Sequence, residues 1–397
     1  MEDQDLLLPP GAVLVHIGPY KTGSTAIQTT LALHRDDMAP HGVLYPGDGH
    51  RQMRPTWALS ERGAAGVGSV PMAEWDDLSS EVRAAVDHRV VISSEDLASA
   101  KVEQARKLAA DLGSDRVHVL IVVRRLDKLF PSSWQERVKS WNETRTYDEW
   151  LREVLDEDRS SAAGGTFWRN HGIANLVAVW GAAVPPERIV LLVADEADRA
   201  SSPRTFEALL GLPDGLLTPG PRENTSLSMD KIELYRQVNQ LFKDHGWSAR
   251  HRRELIYRGM LRGLRQVPQN ELDVPIPKVP TWAAERVRDL SRARARQVAG
   301  HPGRVVGDPD LLTEVDVGSD EEFATVPDRV PMETAVAAIE AVLRAGLRLE
   351  ASRTRSRPAA PTPVPPAPAD PLEGVDARRL LSESVRRVTG RLGRRAR

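Results

Sequence analysis

The chain has 397 residues, 41% hydrophobic and 28% charged, with 54 Lys+Arg against 56 Asp+Glu. At about 100–200 residues per domain this is one large or two smaller globular domains, which excludes a collagen, a wholly disordered chain and a membrane protein. It has no cysteine, so disulfide frameworks, thiolate metal sites, iron–sulfur clusters and cysteine nucleophiles are excluded as well.

The first residues, Met1-Glu2-Asp3-Gln4-Asp5, are acidic where a secretory leader is basic. No apolar run reaches the ~18–20 residues of a membrane span. A cytoplasmic protein without a span is therefore expected. Val13–Ile17 reads as a buried strand, residues 18–23 as a loop, and Ser24 to about Asp37 as a helix. Val43–Tyr45 is a short strand, and Pro46–Pro71 is Gly- and Arg-rich and reads mostly as loop. A helix over Trp75–Asp87, a strand at Arg89–Ile92 and a helix over Glu103–Leu112 follow. Val117–Val123 is a continuous apolar run, as suits a strand buried on both faces of a parallel sheet. The next helix, Leu126–Trp141, contains Pro131, where a kink or short break is expected. A helix over Asn170–Gly181 and a strand at Ile189–Val193 complete an alternation that implies an α/β fold.

Beyond Ser226 the pattern turns helical, over Ser228–His245, Arg250–Gln266, Thr281–Ala299 and Met332–Glu350. The expected organisation is an α/β core over 1–225, a helical C-terminal extension packed on it over 226–350, a Pro-rich linker over 351–375 and a basic tail over 376–397. Seven prolines lie between Pro358 and Pro371, a composition that favours an extended linker. From Ala351 onward 11 Arg face 4 acidic residues, a net of +7; the rest, with 43 basic and 52 acidic residues, carries −9. Such a tail leaves contact with nucleic acid or an anionic surface open, but a solvating tail is favoured because no nucleic-acid motif accompanies it.

The strongest chemical signal is His16-Ile17-Gly18-Pro19-Tyr20-Lys21-Thr22-Gly23-Ser24-Thr25, set between a buried strand and a helix. Consecutive backbone N–H groups and a helix N-terminus there make an anion nest, and Ser24 and Thr25 add hydroxyl donors. Gly18 and Gly23 keep the glycine spacing of the nucleotide-hydrolase loop, but Ser24 stands where that motif needs Lys. The loop's one lysine is Lys21.

Lys21-Thr22-Gly23-Ser24-Thr25, directly after a first strand, resembles the 5′-phosphosulfate loop of sulfotransferases that use 3′-phosphoadenosine 5′-phosphosulfate (PAPS). The resemblance implies that Lys21, Thr22, Gly23, Ser24 and Thr25 hold the 5′-phosphate end of this co-substrate. A second match follows the strand at Val117–Val123. The family places an Arg at a strand end and a Ser eight residues on, to bind the 3′-phosphate; Arg124 and Ser132 have that spacing. Arg125 and Ser133 share it, and Arg124 is favoured. The resemblance covers about Val13–Val193 and implies a P-loop-like parallel sheet flanked by helices.

Sulfuryl transfer requires a base within hydrogen-bond reach of the acceptor. The candidate is Glu95, just past a strand end, with Asp96 and His16 as rivals. Golgi-type members of the family often use a Glu here, so the chain resembles that branch. The acceptor is expected to be a hydroxyl or amine on a small molecule, a glycan or a secondary metabolite. No metal is expected, since no ligand spacing is present. Ser226, in Arg222-Glu223-Asn224-Thr225-Ser226, reads as a helix cap; the resemblance also implies an alternative, that this Asn–Ser segment contacts the donor. Among the tryptophans, Trp180 reads as core, and others could line an acceptor site. The rival readings are a P-loop kinase or nucleotide hydrolase, and a non-catalytic nucleotide-binding scaffold.

Overall fold

Five strands are runs of β-branched and aliphatic residues with few exposed positions: β1 (Val13–His16), β2 (Val43–Leu44), β3 (Arg89–Ser93), β4 (Val117–Val123) and β5 (Ile189–Val193). With β6 (Arg304–Val306) they form one six-stranded sheet in the order β2-β3-β1-β4-β5-β6. Every neighbouring pair is parallel. The computed structural model describes residues 6–355 except 62, 65–67, 157–160, 219, 221–225, 270 and 272. The basic tail and most of the Pro-rich segment lie outside the described residues, as do Arg222, Glu223, Asn224 and Thr225.

Helices cover both faces of the sheet, which gives the expected α/β class. On one face α1 (Ser24–Leu33) and α9 (Ser201–Leu210) bury Ile27, Leu31, Phe206, Leu209 and Leu210 against Leu14, Leu120 and Val190. On the other, α3 (Ala73–Ala84), α4 (Val102–Leu112) and α8 (Ile173–Gly181) bury Trp75, Leu108 and Trp180 against Val15, Val119 and Leu191. Trp180 is thus core, as expected. A third apolar cluster joins α5 (Leu126–Trp141), α6 (Tyr147–Leu155) and α7 (Ala162–His171) to α10 (Met229–Asp244) and α11 (Thr281–Ala299). Trp134, Trp150 and Tyr235 are fully buried in it.

The chain runs from β1 out to β2 and back through β3 on one side, then crosses to β4 and β5 on the other. Connections therefore leave β1 and β4 in opposite directions. A crevice at the carboxyl ends of two such strands is where open parallel sheets take ligands.

Several expectations need correction. Pro46–Pro71 is loop for much of its length, but it also holds a helix, α2 (Met53–Leu59), tied down by Gln52. The Gln52 amide donates to the Pro46 carbonyl at 2.9 Å and accepts from the Ser93 N–H at 3.0 Å. α5 runs through Pro131 without a break. The expected helix over Asn170–Gly181 is two helices, α7 and α8, meeting at Gly172, where an added Cβ would lie 2.5 Å from the Trp168 carbonyl oxygen. The stretch beyond Ser226 is not wholly helical, because it supplies β6. That strand is only three residues long and follows Gly303, where a Cβ would collide with the carbonyl oxygens of Pro186 and Ile189.

Residues 1–346 form one compact unit and a second begins at Leu347. The last described helix, α12 (Met332–Arg355), continues five residues into the stretch expected to be linker. Within the first unit it packs by small residues. A Cβ on Gly263 would lie 2.6 Å from the Ala337 carbonyl oxygen and 2.7 Å from the Ala341 Cβ, and one on Gly259 would lie 2.9 Å from the Ala345 Cβ.

Three histidines are withdrawn from water. Burial lowers His16 and His171 to about 3 each, with Arg294 adding to the effect at His171. His118 on β4 is lowered to about 4 by burial and then by Arg188 and Arg304. Unfolded histidine titrates near 6.5. Their contribution is therefore complete above pH 6.5 and is lost as pH falls toward 3–4, where the unfolded chain binds protons that the folded chain refuses. Urea midpoints should drop steadily from pH 6.5 to pH 4, with a shallower slope for His118→Gln.

Candidate functional site

The loop after β1 is fixed from both sides. Ile17 N–H donates to the Leu120 carbonyl at 3.1 Å, and Val122 N–H to the Gly18 carbonyl at 2.7 Å. On the β3 side Ser94 N–H donates to the His16 carbonyl at 3.0 Å. The backbone turns left-handed at Gly18 (φ 84°), Lys21 (φ 67°) and Gly23 (φ 95°). Gly18 also needs its bare Cα, since a Cβ would lie 3.0 Å from the Cβ of Glu95 and 3.1 Å from its Cα. Inside the loop the Thr22 hydroxyl donates to the Pro19 carbonyl at 2.7 Å, with the Ser24 hydroxyl 3.5 Å from the same oxygen.

α1 starts at Ser24 with Gly23 as its N-cap, and no side chain caps it. The N–H groups of a helix's first turn have no intrahelical acceptor. Together with the positive end of the helix dipole they offer donors to an anion lying in the loop. Lys21 stands beside them, its Nζ 3.6 Å from Glu136 Oε2.

Arg124, at the end of β4, reaches this loop. Its Nη1 donates to the Lys21 carbonyl at 2.8 Å, and its Nε and Nη2 hold both oxygens of Glu196 at 2.5 and 2.9 Å. Burial pushes the Glu196 carboxyl up, but Arg124 outweighs it and keeps the group below its usual range. Arg125 points elsewhere. It is buried in an acidic cluster with Asp127 at 2.8 Å, Glu314, and Asp316 at 3.5 Å. Burial works against its charge, yet the acids around it raise its pKa.

Ser132 is half-buried on α5, four residues before Glu136 and seven before Lys139, so the three share one helix face. Glu136 places that face toward Lys21. Ser133 is buried, and its hydroxyl has no partner.

Glu136 also holds Lys139 Nζ at 3.3 Å. Burial raises the Glu136 carboxyl, but Lys139 and Lys21 bring it down to about 2. Lys139 is lowered to about 8 by burial together with Lys21 and Arg265, against the pull of Glu136.

Glu95 packs directly on Gly18, its side chain mostly buried. One oxygen accepts from Gln28 Nε2 and the other from Arg51 Nη1, both at 2.7 Å. Asp96 accepts the Tyr20 hydroxyl. His16 is sealed in, with Nδ1 2.8 Å from Ser93 Oγ and its ring edge-on to Phe206 at 5.3 Å. Burial and its low pKa keep His16 neutral and out of reach of an acceptor.

The structure thus brings Lys21, Thr22, Gly23, Ser24, Thr25, Arg124 and Glu95 to one end of the sheet, with Ser132 on the facing side of α5. It adds Arg51, Glu136, Lys139 and Glu196, which no sequence spacing singled out. Ser226 is not the cap of α10: Ser228 is its N-cap residue. Among the described residues no group of three or more His, Asp or Glu could hold a metal ion, and no helix is long and apolar enough to cross a membrane.

No protein-family model matches the chain, and no curated protein does. Among solved structures it is similar to a sulfotransferase from Alicyclobacillus acidocaldarius, at TM-score 0.38 and 15% identity over 62% of this chain and 98% of that one.

The two adjacent arginines should separate cleanly on substitution. Arg125→Ala strands the buried Asp127 carboxylate and should cost about 3 kcal/mol in urea denaturation. Arg124→Ala breaks a partly exposed pair and should cost no more than about 1 kcal/mol.

Proposed function

We propose that the chain is a PAPS-dependent sulfotransferase acting on a hydroxyl or amine acceptor. The observation that carries this reading is the bond from Arg124 to the Lys21 carbonyl. It ties the arginine proposed to read phosphate, at the end of β4, to the anion loop at the end of β1, where the connections from those two strands leave in opposite directions. An ATPase loop would need a lysine directly after Gly23, and Ser24 stands there.

The residues present suit a nucleotide that carries phosphate at two positions. The open N–H groups of α1, the hydroxyls of Thr22, Ser24 and Thr25, and the Lys21 ammonium gather around one anion. Arg124 and Ser132 are the pair we assign to the 3′-phosphate. The donor supplies the sulfuryl group. Lys21 stabilises the negative charge that grows on the departing phosphate oxygen. Glu95, held rigidly against Gly18, takes the acceptor proton as the new S–O or S–N bond forms. An acceptor reaching Glu95 meets the oxygen now held by Arg51, a partly exposed side chain that can swing aside. The acceptor class we propose is a carbohydrate or a secondary metabolite.

Calorimetric titration with adenosine 3′,5′-bisphosphate, with ATP as control, tests the donor assignment. The bisphosphate should bind tightly and ATP weakly, and Arg124→Ala should abolish the difference. Glu196→Gln should tighten bisphosphate binding several-fold by removing the carboxylate that competes for the Arg124 fork. In a transfer assay Lys21→Ala should be inactive, and Glu95→Gln should keep bisphosphate affinity while losing about 10²–10⁴ in rate. ATP bound in preference to the bisphosphate would support the kinase reading. Donor binding without transfer to any acceptor would support the scaffold reading.

A further inference from the structure

Lys139 lies on α5 three residues after Glu136, and its side chain is only 6% exposed. Taking an ammonium out of water is costly unless a counter-ion holds it. Among the described residues Glu136 is the carboxylate within ion-pair distance, its Oε2 3.3 Å from Lys139 Nζ. That same oxygen lies 3.6 Å from Lys21 Nζ. The other, Oε1, accepts the Ser140 hydroxyl at 2.5 Å. One carboxylate oxygen therefore serves two ammonium groups from different elements. An ordinary pair on a helix surface needs neither the burial nor the third partner.

The two cations differ in freedom. The turn that carries Lys139 is held by its neighbours: its carbonyl accepts the Tyr235 hydroxyl of α10 at 3.1 Å and lies 3.5 Å from Arg252 Nη1. Arg265, in the helical stretch Leu261–Gln266, adds a second positive charge facing its ammonium, beside that of Lys21. Lys21 stands on the anion loop, its side chain 30% exposed on a flexible four-carbon stem. A single negative charge cannot neutralise both. Were Lys21 the lone partner of Glu136, drawing it away would strand a part-buried carboxylate, which is the costly way to break such a pair. With Lys139 fixed on the same oxygen, Lys21 can leave and the carboxylate stays paired.

We propose that Glu136 and Lys139 are positioning residues for Lys21: the shared carboxylate holds Lys21 in the empty site, and Lys139 takes that carboxylate over when Lys21 turns to the donor's phosphate. The sharing stands on the ion-pair geometry; the turn toward phosphate rests on the sulfotransferase reading above.

Two measurements on the full-length protein test the two halves separately. The first needs no donor. The chain has eight lysines, so in protein labelled with ¹³C-lysine the Lys139 signal is assigned by its loss in Lys139→Met. Its midpoint, about 8 in the wild type, should rise by about half a unit or more in Lys21→Met, where a repelling charge is gone, and fall by more than that in Glu136→Gln. A midpoint that ignores Lys21→Met would overturn the sharing. Lys21→Met alters a part-exposed side chain and decides this point even if a variant at Glu136 or Lys139 fails to fold. The second is calorimetry with adenosine 3′,5′-bisphosphate. Glu136→Gln should tighten binding about threefold and Lys139→Met should weaken it by a similar factor. Both effects should vanish in a Lys21→Met background, as a double-mutant cycle requires of residues that act through Lys21. Equal effects in both backgrounds would show that the two charges act by their field alone and would overturn the positioning role. Failure of the wild type to bind the bisphosphate would refute the donor reading and the turn toward phosphate with it, while a Lys139 midpoint that answers to Lys21→Met would still uphold the shared carboxylate.

Discussion

A four-residue strand hydrogen-bonded on both sides governs the geometry of this protein. β1 pairs in parallel with β3 and β4, and its pairing continues past the strand end through the Gly18 carbonyl and the Ile17 N–H. The chain must then reverse into α1 within a few residues. It does so through three left-handed residues, and only glycine fits at Gly18, because Glu95 is already there. The close approach that forbids a side chain at Gly18 is also what sets the Glu95 carboxylate at the mouth of the loop. Anion nest and candidate base are consequences of one packing constraint.

Charge at the site is arranged in matched pairs. Lys21 rests on Glu136, Arg124 on Glu196 and Arg51 on Glu95. Left unpaired, such cations would lose hydration without return where they are partly buried. The carboxylates neutralise them where they stand. Lys139 extends the pattern inward. Buried with Glu136 as its counter-ion and Lys21 beyond it, it keeps the glutamate charged, and so keeps Lys21 in place.

Much of the sheet was legible because parallel strands buried on both faces must be continuously apolar. Val117–Val123 and Ile189–Val193 carry that signature, and their observed bounds coincide with it. β6 was not legible, since three residues between glycines give no periodicity. α6 was overlooked although Thr146 and Glu149 form a capping box visible as T-x-x-E. At the site, the loop residues and the Arg–Ser spacing are local in sequence and could be read from it. Sequence left the choice between Arg124 and Arg125 open, yet consecutive residues at a strand end point to opposite sides. One reaches the loop and the other an acidic cluster supplied by Glu314 and Asp316, almost two hundred residues away. Arg51, Glu136 and Glu196 were invisible for a related reason: what ties each to the site is a partner distant in the chain.

The rotation of α12 about its own axis shows how small residues can set what large ones do. Met332, Val336, Ile339 and Leu343 form an exposed stripe along α12; burying it inward would gain apolar area, and hydrophobicity alone favours it. The surface beneath forbids it. Gly259 and Gly263 bring the neighbouring helical stretch so close that even a methyl group there would collide with Ala337, Ala341 or Ala345. Only alanines fit at that approach, and close packing without voids rewards them for it. The two glycines therefore fix the helix with its alanine face inward and its branched face out. The exposed stripe follows from how the first unit is packed, and it persists for as long as that packing does.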